Sequence, residues 1–121
     1  MSDVSFDFLL YPHHRASIHV RRGEASLVQK VATYLDSGSA LVLDPIGGPG
    51  DRDIDPALTF RTITIKPYTE NGDSKIRKNE DWENSGKYGF TFAIDDRGGD
   101  LDWNDCFVDV TLSYERAKSQ F

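Results

Sequence analysis

Cysteine is almost missing from this chain: Cys106 is the single one in 121 residues. No intramolecular disulfide can form, and nothing demands an oxidising compartment. A basic surplus is missing as well, since 14 Lys and Arg against 20 Asp and Glu leave a net charge of −6. That balance argues against nucleic acid, whose binding depends on neutralising phosphates with a basic face, and against anionic membrane surfaces. Long apolar runs are lacking, so no stretch is a candidate for membrane insertion. The opening Met-Ser-Asp-Val-Ser-Phe-Asp has neither the basic start nor the apolar run of a secretory signal. The expectation is a cytoplasmic protein that leaves the cell, if at all, by lysis or another non-classical route.

Catalytic patterns are lacking too. There is no Ser/His/Asp arrangement and no glycine-rich phosphate loop ahead of a helix, so no enzyme is expected. The three histidines, His13, His14 and His19, have no cysteine near them and read as surface or strand-edge residues rather than zinc ligands. Cys106 follows a run of carboxylates, which would raise a thiol pKa rather than activate it. It reads as a small buried residue.

What is present is alternation with a period of two. Val4, Phe6, Phe8 and Leu10 share one face, as do Ile18 and Val20. Residues 40–43 form a short apolar run, and 62–65 are β-branched throughout. Tyr88, Phe90, Phe92 and Ile94 alternate, and so do Cys106, Val108, Val110, Leu112 and Tyr114. Turn residues fall between these runs at 22–24, 36–39, 71–73 and 84–86 and in a long loop at 45–56. The spacing predicts an all-β fold, a small antiparallel β-sandwich forming one domain over 1–121. Residues 26–35 suit a strand or a helix face equally. Within the long loop, 51–55 reads as a solvated connection that could lie near a binding face. Trp82, in a polar stretch, would stack on a sugar or plug the end of the sandwich.

The densest chemistry lies between the last two alternating runs. Residues 95–105 read Asp-Asp-Arg-Gly-Gly-Asp-Leu-Asp-Trp-Asn-Asp, five carboxylates and a carboxamide in eleven residues. Carboxylates this crowded repel unless a cation sits among them, and flexible all-oxygen coordination favours calcium. The spacing is not that of an EF-hand: its glycine position holds Asp105 and its final glutamate position holds Thr111. The expectation is a calcium-binding loop near the C-terminus, between two strands. A metal-free alternative has Arg97 and Lys87 neutralising the carboxylates internally.

These residues resemble the signature of the bacterial calcium-mediated lectins that bind fucose and mannose through two adjacent calcium ions. That signature, Glu-Asp-Gly-x-Asp-x-Asp-Tyr-Asn-Asp-Ala and then a β-branched strand, is met here by residues 96–106, with Asp96 for Glu, Arg97 for Asp, Trp103 for Tyr and Cys106 for Ala. The resemblance implies that Asp96 and Asp100 ligate one calcium, that Asp102 and Asp105 bridge both, and that Asn104 ligates the second. Four carboxylates then balance two Ca²⁺, though a single ion is also compatible. It further implies that Asp100 and Asp105 accept hydrogen bonds from sugar hydroxyls, that Gly98 and Gly99 leave room for the ring, and that Arg97 stands where the family reads the sugar. Glu24 aligns with an early loop that supplies a ligand in the family. Glu115 lies ten residues past Asp105, where the family's terminal carboxylate completes a partner subunit's site. The implied partners are glycans, and a shallow sugar site gains by avidity in a homo-oligomer. The rival expectation is a calcium-stabilised sandwich that serves as a protein-interaction or adhesion module.

Overall fold

A computed structural model describes residues 4–22, 29–70, 72–95 and 106–118. Among them there are ten strands and no helix: β1 (Phe6–Leu10), β2 (His14–Arg22), β3 (Lys30–Leu35), β4 (Leu41–Leu43), β5 (Asp51–Ile54), β6 (Arg61–Thr69), β7 (Gly72–Asp73), β8 (Lys75–Asn84), β9 (Lys87–Asp95) and β10 (Cys106–Tyr114). They form two antiparallel sheets. One has the order β1-β6-β3-β4 with β7 paired to β6, and the other has the order β5-β2-β10-β9-β8.

The alternating runs place most of their apolar members between the sheets, with Tyr88 and Tyr114 left exposed. Phe6, Phe8 and Leu10 from β1 and Ile63 and Ile65 from β6 face Ile18 and Val20 of β2, Phe92 and Ile94 of β9, and Val108 and Val110 of β10. Aromatic pairs bridge the layers, Phe6 with Phe92 at 4.6 Å and Phe8 with Phe90 at 5.1 Å between ring centroids. Cys106 is buried in this core, as its sequence setting suggested.

The ambiguous segment resolves as strand over Lys30–Leu35, because Val31 and Thr33 are needed opposite β6 and β4. Two strands had no clear period-two signal. Residues 51–54, read as a solvated connection, are β5 and pair with β2 from Ala16↔Ile54 to His19↔Asp51. The polar run Lys75–Asn84 is β8, which pairs with β9 along its length apart from a bulge between Lys78 and Glu80. β8 lies at a sheet edge, where charged side chains discourage pairing with another chain, so it buries few apolar groups and shows no alternation. Ser85 and Gly86 turn it into β9 with φ of 52° and 81°, the double left-handed step of a two-residue hairpin turn.

Candidate functional site

The metal ligands and the sugar contacts that the family resemblance implies all lie outside the described residues: Glu24 falls in 23–28, and Asp96, Arg97, Gly98, Gly99, Asp100, Asp102, Asn104 and Asp105 fall in 96–105. The strands that carry these segments are described, and they fix where each segment leaves the sheet. Cys106 pairs with Ile94 on one side and with Arg22 on the other. The end of β2, the end of β9 and the start of β10 therefore stand side by side at one rim of the same sheet. Residues 96–105 connect two hydrogen-bonded antiparallel neighbours, and 23–28 leave from the strand next to them.

A third segment reaches this rim. β5 runs antiparallel to β2, and the Val20 N–H donates to the Gly50 carbonyl at 2.9 Å, so 44–50 border the same end. The Asp44 carboxylate organises that turn by accepting from the N–H groups of Ile46 at 2.9 Å and Gly47 at 3.1 Å. Those bonds favour its charged form and hold its pKa below the ordinary carboxylate range.

The roots of the two undescribed segments are polar and buried. Gln29, which leads into β3, donates from Nε2 to the Tyr68 carbonyl at 2.8 Å and to Ser74 Oγ at 3.0 Å. Ser74 precedes Lys75, the partner of Asp95 across β8 and β9. Gln29, Ser74 and Asp95 are 3%, 0% and 0% exposed. Buried polar groups of this kind are tolerated only when hydrogen-bonded, and once bonded they fix a backbone firmly. Sequence reading assigned no role to Gln29 or Ser74. Their signal is a long-range pairing 45 residues apart, which no local pattern reveals.

On the outer face beside the rim, Asp109 of β10 accepts from Arg21 Nε at 2.5 Å and Nη2 at 3.2 Å and from Thr91 Oγ1 at 2.7 Å. The Arg21 guanidinium also lies 5.0 Å from the Phe107 ring centroid. His19 bonds Asp51 at 2.5 Å. Among the described residues no three His, Cys, Asp or Glu side chains form a metal-sized cluster.

The geometry also places three other residues that the sequence singled out. Lys87 begins β9, opposite Ser113, eight residues or about 27 Å along the strand from Asp95. Its backbone therefore lies far from the point where the acidic run leaves the sheet. Glu115 follows β10 at the opposite end from Cys106, about 30 Å away. Its carboxylate is gripped by Arg15 Nε at 2.7 Å and Nη2 at 3.1 Å within the same chain. Trp82 neither plugs the sandwich nor borders the rim: it pairs with Gly89, and its ring lies against that glycine.

No family model and no curated protein matches the chain. Solved structures do. The Ralstonia solanacearum high-affinity mannose-binding lectin superposes with a TM-score of 0.64 at 14% identity, over 87% of this chain and 93% of that one. The Chromobacterium violaceum lectin CV2L, solved with α-methyl-fucoside, gives 0.65 at 15% identity over 87% and 93%. The C-terminal domain of the Burkholderia cenocepacia lectin BC2L-C gives 0.62 at 17% identity over 92% and 97%. The chain has the β-sandwich fold of these bacterial lectins.

Proposed function

We propose that the protein is a non-enzymatic carbohydrate-binding protein, a lectin that ligates sugar hydroxyls through one or two calcium ions held by residues 96–105. The observation that supports this most directly is the pairing of Cys106 with both Ile94 and Arg22. It makes the acidic run a hairpin connection at one rim of a sandwich whose structural neighbours are named as mannose-binding and fucoside-complexed lectins. The donor set suits the ion: Asp96, Asp100, Asp102, Asn104 and Asp105 offer only oxygen, the ligand calcium prefers. Glu24 would approach from the neighbouring strand.

Bound calcium would supply open coordination positions for vicinal hydroxyl oxygens. Asp100 and Asp105 would accept the hydroxyl protons' hydrogen bonds, and Gly98 and Gly99 would keep side chains out of the ring's way. Such a site is shallow, so a homo-oligomer presenting several copies would raise avidity.

A glycan array run in calcium and again in EDTA tests the proposal. Binding present in calcium and abolished by chelator is the expected result. Calcium binding with no glycan retained would replace the lectin with a calcium-stabilised interaction module.

A further inference from the structure

His13 holds three segments together from a backbone conformation uncommon for a residue with a side chain, φ of 61°. Its N–H donates to the Ala57 carbonyl at 2.9 Å, and its carbonyl accepts from the Glu115 N–H at 2.8 Å. Its ring nitrogen Nδ1 accepts from the Ala117 N–H at 3.0 Å. Two residues on, Arg15 binds the Glu115 carboxylate and also donates from Nη1 to Asp53 at 3.0 Å and Asp55 at 2.8 Å. Residues 115–118 are thereby laid against the start of β2, walling a cavity of about 320 Å³ lined by Arg15, Asp55, Pro56, Glu115, Arg116 and Lys118.

We propose that residues 116–118 form a strap latched at neutral pH and released on mild acidification, with His13 as the latch. An amide N–H can be accepted only by an imidazole nitrogen with a free lone pair, so Nδ1 carries no proton and the neutral ring carries its hydrogen on Nε2. The next proton goes to Nδ1, the remaining basic nitrogen. It sets one N–H against another and leaves the amide of Ala117, a buried residue, without its acceptor. Protonation of the imidazole is therefore the event that opens the latch.

The other two histidines respond differently. His14 donates from Nδ1 to the Pro12 carbonyl at 3.0 Å, a bond that survives protonation, and the His19–Asp51 pair gains from it. The charged groups on the segments that His13 joins are of both signs. On the strap side these are Arg116 and Lys118, which an imidazolium repels, together with Glu115 and the Tyr114 ring 6.3 Å away. On β2 they are His14 and Arg15, and on the segment before Ala57 there is Asp55. Glu115 and Asp55 are both bound by Arg15, which leaves them little attraction for a new cation. Arg15 also holds the Glu115 carboxyl below its ordinary range, so this second attachment stays charged through mild acid and release starts beyond residue 115.

Amide hydrogen exchange at Ala117, corrected for intrinsic rate and compared at pH 7.5 and 5.0, tests the latch. One linked proton gives up to a tenfold loss per pH unit, so the protection factor should fall at least ~10-fold. His13→Asn supplies the control, because Asn tolerates a left-handed backbone and its Oδ1 accepts at every pH. Its Ala117 protection should not change between the two pH values. Unchanged wild-type protection, or an equal fall in His13→Asn, would overturn the proposal. If that variant does not fold, the tautomer of wild-type His13 decides: a neutral ring protonated on Nδ1 rules the latch out. These readouts use a backbone amide and a ring nitrogen, so they stand or fall separately from calcium and sugar binding.

Discussion

Trp82 lies across Gly89 on the outer face of the sheet, and the two fit only because Gly89 has no side chain. A Cβ there would come 1.9 Å from the Val110 carbonyl oxygen and 2.7 Å from Trp82 Cζ2. The first obstacle is backbone in the neighbouring strand and cannot rotate away. Gly89→Ala should therefore destabilise the fold by about 3 kcal/mol or more, read from urea melts. Trp82→Ala should cost about 1 kcal/mol through the lost cross-strand cover. It should leave glycan binding unchanged, since Trp82 sits about 20 Å along the strand from Asp95.

The buried pair Gln29 and Ser74 makes a second prediction. Ser74→Ala removes a partner from the Gln29 amide where water cannot replace it, which should cost about 1–3 kcal/mol. Gln29→Ala opens a hole at the root of the 23–28 segment and should cost at least as much. Thermal melts of both variants, with and without calcium, provide the check.

Calcium itself should stabilise the protein. Crowded carboxylates repel when no ion is bound, and a ligand at ~100 times its dissociation constant adds roughly 2.7 kcal/mol per site. Superimposable melts in calcium and EDTA would remove the metal from the proposal. Among single changes, Asp102→Ala and Asp105→Ala should weaken calcium binding in calorimetry more than Asp96→Ala, because a bridging carboxylate serves two ions. Equal losses from all three would point to one shared ion.

Arg97 interrupts the acidic series with a group that grips carboxylate or sulfate through two parallel hydrogen bonds. Arg97→Asp should move glycan preference toward neutral sugars such as fucose or mannose and leave calcium affinity near its wild-type value. Paired glycan arrays and calcium titrations would show this. An unchanged glycan profile with weaker calcium binding would assign Arg97 to the metal loop instead.

Asp36 is one contributor to the acid side of the stability profile. Its carboxylate accepts the Thr62 N–H at 2.8 Å and pairs with Arg61, and these bonds hold its pKa below the ordinary aspartate value. A depressed carboxylate stabilises the folded state above the ordinary value, and that contribution disappears as pH falls through the folded one. Asp36→Asn keeps an acceptor for Thr62 but loses the charge. It should be less stable than wild type at pH 7, converge with it in strong acid, and show a flatter pH–stability slope between.

Alternation in the sequence was enough to locate β1, β9 and β10 and the middle of β2, and a β-branched run marked part of β6, because each turns one face into the core. β8 escaped because an edge strand with Ile76 as its only buried apolar side chain carries no periodic mark. β5 escaped because Asp51, Arg52 and Asp53 spend their side chains on partners elsewhere: Asp51 on His19, Arg52 on the Thr33 carbonyl at 3.0 Å, and Asp53 on Arg15. The acidic run was conspicuous as chemistry, and the segments flanking it were correctly read as strands. What the sequence could not show was that residues 22, 94 and 106 meet at one rim, or that Glu115 is held by a residue 100 positions away. Both follow from strand order, which depends on the whole core.

Strand order also has a consequence in time. β10 follows both of its neighbours in chain order, yet it fills the middle of its sheet, with β2 on one side over nine register positions and β9 on the other over eight. Until the ribosome has released it, β2 and β9 each present an open edge and an apolar face with no neighbour between them. The growing chain must therefore wait as two half-built sheets, and that interval is when it is most exposed to pairing with other nascent chains. The segment that carries the proposed calcium ligands is completed only just before β10, so the site and the strand that closes the sheet become available almost together.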